Sequence, residues 1–190
     1  AQVEKCAYVS VGGSIIFQGN LKIDIGDGGL FSKYGNILIN GKMVAQNRLS
    51  IIAEKGTVNV QNAILEANQL TIYSKKDINF NDTVINAVEV LTTSLDSFIN
   101  FKNVKLRSNC MVIVAEHDIG ISDSAFKTNK LYMQSNNSTS IDNSNIVAHD
   151  MFTDSVRQFL LSKSNVDIKH YRFALFGHQF DEEHLQGGFR

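Results

Sequence analysis

Proline and tryptophan are both absent from this 190-residue chain, and cysteine occurs only twice, at Cys6 and Cys110. Without proline every backbone N–H is free to donate, so no position is closed to an internal strand. Without tryptophan there is no indole belt for a membrane boundary, and the longest apolar runs fall well short of a span. Two cysteines cannot build a disulfide framework, and no CxxC or Cys/His cluster has the spacing of a zinc site, so two free thiols are expected. Neither sign of charge dominates either. Eighteen Lys and Arg face nineteen Asp and Glu, so no net field draws the chain to nucleic acid or to an anionic membrane. These absences point to a soluble single domain that neither binds nucleic acid nor inserts into a lipid bilayer. The N-terminal Ala1-Gln2-Val3 suits a mature product after signal cleavage, or equally a piece of a longer protein.

A repeat is what the chain does have. Leu49-Ser50-Ile51-Ile52-Ala53 recurs as Leu70-Thr71-Ile72-Tyr73-Ser74, Val90-Leu91-Thr92-Thr93-Ser94, Met111-Val112-Ile113-Val114-Ala115, Leu131-Tyr132-Met133-Gln134-Ser135 and Met151-Phe152-Thr153-Asp154-Ser155. A second segment follows at fixed offset, from Val58-Asn59-Val60 and Ile78-Asn79-Phe80 to Phe159-Leu160-Leu161. A third runs from Ala63, Leu65 and Ala67 to Ser164, Val166 and Ile168. Each segment alternates apolar and polar residues with period two, the pattern of a strand with one buried face, and the helical period of 3.6 is absent. Short polar stretches such as Glu54-Lys55-Gly56 and Asn136-Asn137-Ser138 have the composition of tight corners.

An antiparallel meander gives no reason for the same face to return every 20 or 21 residues. A coil does, because equivalent residues of stacked turns then sit about 4.8 Å apart in parallel ladders. The sequence therefore predicts an all-β fold: a single-stranded, right-handed parallel β-helix with three strands per 20–21-residue rung. Residues 1–47, with breaks at Gly12-Gly13 and Gly26-Asp27-Gly28-Gly29, are expected to form an N-terminal cap and imperfect first rungs. Residues 48–168 form the regular helix, and residues 169–190 a C-terminal cap or tail.

The repeat resembles the haemagglutinin-type repeats of filamentous haemagglutinin-like, two-partner-secreted bacterial adhesins. Leu70-Thr71-Ile72-Tyr73-Ser74, Ile78-Asn79-Phe80-Asn81 and Ile85-Asn86-Ala87 are similar to that family's L-x-I-x-A, I-x-I/L-x-N and I-x-A pattern over about residues 48–168. The resemblance implies secretion and a surface-exposed β-helical shaft that serves adhesion. The chain departs from the family in having few corner glycines and more lysine, and it carries no recognisable secretion-domain motif.

On such a rod, function belongs to the outward positions. In the second segment Asn59, Asn79 and Asn100, followed by Gly120 and Ser140, are expected to form an amide ladder. In the first segment the outward residues Ile52, Tyr73, Leu91, Val112, Val114, Tyr132 and Phe152 are largely apolar. A stripe of that kind calls for a protein partner, self-association, or a cover from residues 1–30 or 169–190, whose aromatics include Phe173, Phe176, Phe180 and Phe189. Tyr73, Tyr132 and Phe152 could also stack on sugar rings, so carbohydrate is a further candidate partner.

Signs of catalysis or of a cofactor are few. Asp77, Asp96 and Asp118 fall near one corner, but no neighbouring column supplies a second acid, and the corners are too brief to build a cleft. The histidines, His117, His149, His170, His178 and His184, show no metal-binding spacing, although His178 and His184 could converge with Asp181. Asp24-Ile25-Gly26-Asp27-Gly28-Gly29 reads as a turn, because a stacked glycine-rich calcium site needs several copies. The expectation is a non-enzymatic interaction module, without catalytic residues, metal or cofactor, secreted or displayed on a bacterial cell surface. The alternatives are a carbohydrate-binding or polysaccharide-degrading β-helix, and a subunit that stacks end to end.

Overall fold

In the computed structural model, which describes residues 2–175 and 178–180 and the side chains of 2–172, the chain is all-β. Parallel strands stack as a solenoid of about nine turns, each of roughly 20 residues. Each turn contributes to three walls. The first wall is made by Ala7–Val11, Gly28–Ser32, Arg48–Ala53, residues 69–74 and 89–94, Cys110–Ala115 and their successors. The second contains Ile119–Ser122, Ser138–Asp142 and Gln158–Ser162, and the third the opening halves of Ala125–Ser135, Asn145–Ser155 and Asn165–Leu175.

The register follows the repeat. Ile72 lies beside Thr92 in the adjoining parallel strand, and Leu49, Leu70, Val90, Met111, Leu131 and Met151 follow one another in a column. Val60, Phe80, Phe101, Ile121, Ile141 and Leu161 form a second. Both columns point inward and are buried until the last turns. Phe80 and Phe101 stack face to face at 4.7 Å between centroids, and Phe126 meets Phe101 edge-on at 5.3 Å, the two favoured aromatic geometries.

Small residues at the end of the first wall do more than make room. Ser32, Ser74, Ser94 and Ser135 are buried, and each hydroxyl donates to a backbone carbonyl at the corner, of Gly13, Gly56, Lys76 and His117 respectively. The Ser74 and Ser135 oxygens also accept the N–H of Lys76 and Asn137. A corner inside a narrow core has little access to water, so these hydroxyls satisfy groups that would otherwise be buried without partners.

The corner between the second and third walls uses a different device. Asn62, Asp82, Asn103, Asp123, Asn143 and Lys163 all have positive φ, between 46° and 53°. One residue in this left-handed region turns the chain sharply, and Asn and Asp tolerate it best among residues with a side chain. Gly19 and Gly41, at φ 103° and 137°, make the same corner in the earlier turns. A Cβ on Gly41 would stand 2.1 Å from the Gly19 carbonyl oxygen. Pairing shifts register between Ile39 and Lys42, because the glycine corner is one residue shorter than the asparagine corner above it.

Residues 2–47 are thus rungs with irregular corners, paired within the walls. At the other end the period extends beyond residue 168, since Asn165–Leu175 stays in parallel register with Asn145–Ser155. His178–Phe180 then pairs antiparallel with residues 173–175.

Candidate functional site

The outward face of the first wall is built from two columns. In one, Ser50, Thr71, Leu91, Val112, Tyr132, Phe152 and Arg172 follow in register. In the other, Phe31, Ile52, Tyr73, Thr93, Val114, Gln134 and Asp154 do so. The seven outward residues expected from the sequence therefore share one wall. They do not form one line: the apolar part of the second column ends where that of the first is strongest, so the patch crosses the wall diagonally. All are half-buried by their neighbours except Leu91, which is 42% exposed.

Local packing keeps this surface flat. Tyr132 and Phe152 stack with their rings 5.0 Å apart and inclined by 5°, as matched positions of adjacent parallel strands allow. The Tyr132 hydroxyl donates to Gln134 Oε1 at 3.1 Å. Partial burial, with Asp154 nearby, raises the pKa of that phenol. Phe31 extends the patch and the sequence reading missed it. With Tyr8 it covers Gly29, where a Cβ would come within 2.6 Å of the Phe31 ring and 2.9 Å of the Tyr8 ring. That glycine between two aromatic strand residues was the available signal. Cys110 lines a shallow hollow beside Leu91 and Val112.

Residues 2–32 lie in the walls, so the expected cover from residues 1–30 is not formed by them: their strands extend the solenoid because their backbone groups pair with the next turn. Residues 169–175 and 178–180 also add to the wall rather than crossing its face. Phe176 and Phe189 lie outside the described residues, as do the side chains of Phe173 and Phe180.

The amide ladder is present from Asn59 to Asn100, with Asn79 Nδ2 donating to Asn59 Oδ1 at 3.1 Å and Asn100 Nδ2 to Asn79 Oδ1 at 3.4 Å. It stops at Gly120, where a Cβ would meet Asn100 Oδ1 at 2.6 Å. Asp77 and Asp118 occupy matching positions, since Ile78, Ile99 and Ile119 are in register, but Phe98 stands between them. Asp96 falls two positions earlier and pairs with Lys75 at 3.6 Å, so it does not belong to that column. Asp77 accepts the Ser97 hydroxyl, and Asp118 accepts Asn137 Nδ2 at 2.6 Å and the Ser138 N–H at 3.1 Å. These carboxylates serve the corners. Cys6 and Cys110 are both free.

Two clusters were not anticipated. Lys105, Arg107 and Lys127 come together on the outside of the third wall. At the corner leading into the first wall, His149, Asp150 and His170 converge, although the sequence reading found no shared face for the histidines. His149 Nδ1 lies 3.0 Å, and His170 Nδ1 3.4 Å, from the same Asp150 oxygen, and the imidazole centroids are 5.1 Å apart. The hydrogen bond from His149 holds the Asp150 carboxyl below the usual range, helped by the charges of His149, His170 and Lys130. The signal was the rung period itself, which makes neighbours of residues 20 or 21 apart. The side chains of His178, Asp181 and His184 lie outside the described residues.

Among the described residues no helix is long and apolar enough to cross a membrane. No family model, curated protein or solved structure matches the chain.

Proposed function

We propose that this protein is a non-enzymatic interaction module that presents the first wall of its solenoid for protein contact, as part of a secreted or cell-surface adhesin-like protein. The observation that carries the reading is the diagonal apolar patch of Leu91, Val112, Tyr132 and Phe152 with Ile52, Tyr73 and Val114, partly exposed on the outside of the first wall, with Tyr132 and Phe152 held ring on ring. A flat wall with a preset aromatic pair loses little conformational entropy on docking, and aromatic anchors dominate such contacts. The adhesin setting rests on the similarity of the repeat pattern alone.

The test is self-association measured by light scattering against concentration, with a glycan array alongside. Tyr132→Asp combined with Phe152→Asp places two charges on the patch and should abolish concentration-dependent association while circular dichroism stays β-rich. A folded variant that associates like the parent would overturn the reading. Saturable glycan binding by a monomeric parent would favour the carbohydrate alternative instead.

A second reading, end-to-end stacking, is favoured by the open end of the core. Val9 prolongs the buried series Leu30, Ile51 and Ile72, yet it is 46% exposed. Among the described residues its strand, Ala7–Val11, has a partner on one side only, and an open edge of this kind invites another strand. Val9→Lys should block assembly through this end and leave association through the first wall intact.

A further inference from the structure

We infer that His149, Asp150 and His170 form a binding site for a first-row divalent transition cation, with Zn²⁺ as the reference ion. One ligand atom from each residue lies within 4.8 Å of the other two. The arrangement is built by the fold: Asp150 and His170 are matched positions of adjacent parallel strands, and His149 precedes Asp150 at the corner where the third wall turns into the first. One and two turns earlier that corner carries Asn129 and Asn109, joined by an amide hydrogen bond of 2.7 Å. The ladder of amides gives way to an imidazole at His149, and His170 comes from the neighbouring column, one turn above Asp150.

The donor set selects the class of ion. Two imidazole nitrogens and one carboxylate oxygen suit zinc, nickel, cobalt or copper, whereas calcium and magnesium favour shells made of oxygen. Bonds of about 2.0–2.1 Å in a tetrahedron put donor atoms about 3.4 Å apart. Both nitrogen-to-carboxylate distances are already near that value, and the histidines, 47% and 68% exposed, have room to swing the remaining ångström or so. In the bound state Nδ1 of each ring offers its lone pair to the ion and the ring proton sits on Nε2, so that the ion takes the place of the Nδ1 contact with Asp150. Three protein ligands leave the fourth position to water. The ion would tie two successive turns together near the C-terminal end of the rod, across the same register that the backbone ladder sets.

Lys130, the matched position one turn before Asp150, places a positive charge beside the site and opposes the ion. That gives the test a gain-of-affinity arm. Titration of the full chain with zinc chloride by calorimetry should give one ion per chain with micromolar affinity. His170→Ala and Asp150→Asn should each weaken binding about tenfold or more, and Lys130→Gln should tighten it. Zinc should also raise the thermal midpoint of the parent and not that of His170→Ala, with the two chains melting alike in chelator. Absence of binding by the parent at about 0.1 mM zinc overturns the assignment. So does parent-like affinity in a folded His149→Ala, His170→Ala double variant, which would place the ion on other residues.

Discussion

Thr92 occupies, in the middle of the column that holds Ile51, Ile72 and Ile113, a place where its hydroxyl has no use. It is fully buried and its Oγ1 has no hydrogen-bond partner. A buried hydroxyl without a partner keeps its desolvation cost, about 1–3 kcal/mol. Valine has the same branching and no polar atom, so Thr92→Val should raise stability by about 1 kcal/mol, read as a higher denaturant midpoint at unchanged slope. The serines at the corner behave in the opposite way. Ser74→Ala removes the donor to Gly56 O and the acceptor for the Lys76 N–H, and should lower stability by about 1–2 kcal/mol. Alanine fits there, since Ala53 and Ala115 hold the same column, so any loss belongs to the hydrogen bonds. At this scale the sequence made the inward positions legible, because period-two alternation marks them. It did not distinguish a hydroxyl that works from one that does not, because that depends on which carbonyls the corner brings within reach.

The corner between the second and third walls is an element whose chemistry runs along the rod. From Asn62 to Asn143 the left-handed position alternates Asn, Asp, Asn, Asp, Asn, and Lys163 follows. Asn103 Nδ2 donates to Asp82 Oδ1, and Asn143 Nδ2 to Asp123 Oδ1. Alternation gives each carboxylate amide neighbours and keeps like charges two turns apart. Asn103→Asp keeps a residue that tolerates the backbone, as Asp82 and Asp123 do, but stacks three carboxylates about 4.8 Å apart. Two such contacts cost about 1–2 kcal/mol even at the dielectric constant of water. The variant should therefore melt below the parent in dilute buffer, and the gap should narrow in about 1 M salt, where the screening length falls to about 3 Å. Persistence of the full gap in high salt would assign the loss to the missing amide donor instead. The strands of this element were readable from alternation, but the corner was not. Asn81-Asp82-Thr83 carries the turn residue Asp82 with no glycine beside it to mark the corner. His149 and His170 escaped for a related reason: at 21 residues apart they match no short metal motif, and they meet only once the pitch of the solenoid is applied to side chains at a corner.

Over the whole molecule, stability is local to successive turns, because each turn touches only those beside it and the residues that share its corners. Such a rod unfolds as a chain of coupled units, and weakening one interface enough uncouples the two sides. The best place to do this is Phe101, fully buried near the middle of the chain, stacked on Phe80 below and meeting Phe126 edge-on above. Phe101→Ala removes both ring contacts and leaves a cavity in a core only one side chain deep per turn, at a cost of about 3–5 kcal/mol. The two flanks differ in composition. Toward the N-terminus the core is largely Ile, Leu and Val, interrupted by Thr83 and Thr92, whereas beyond Phe126 buried Thr139 and Thr153 take the places of Ile119 and Met133 one turn before, and Phe159 and Leu161 are only partly covered. The C-terminal flank buries less apolar area per turn and should open first. Phe101→Ala should thus convert one unfolding transition into two, with hydrogen exchange in residues 104–172 accelerating before that in residues 28–94. A single transition displaced as a whole to lower denaturant would mean that coupling between turns exceeds the interface energy removed, and that the wall ladders rather than the aromatic stack hold the rod together.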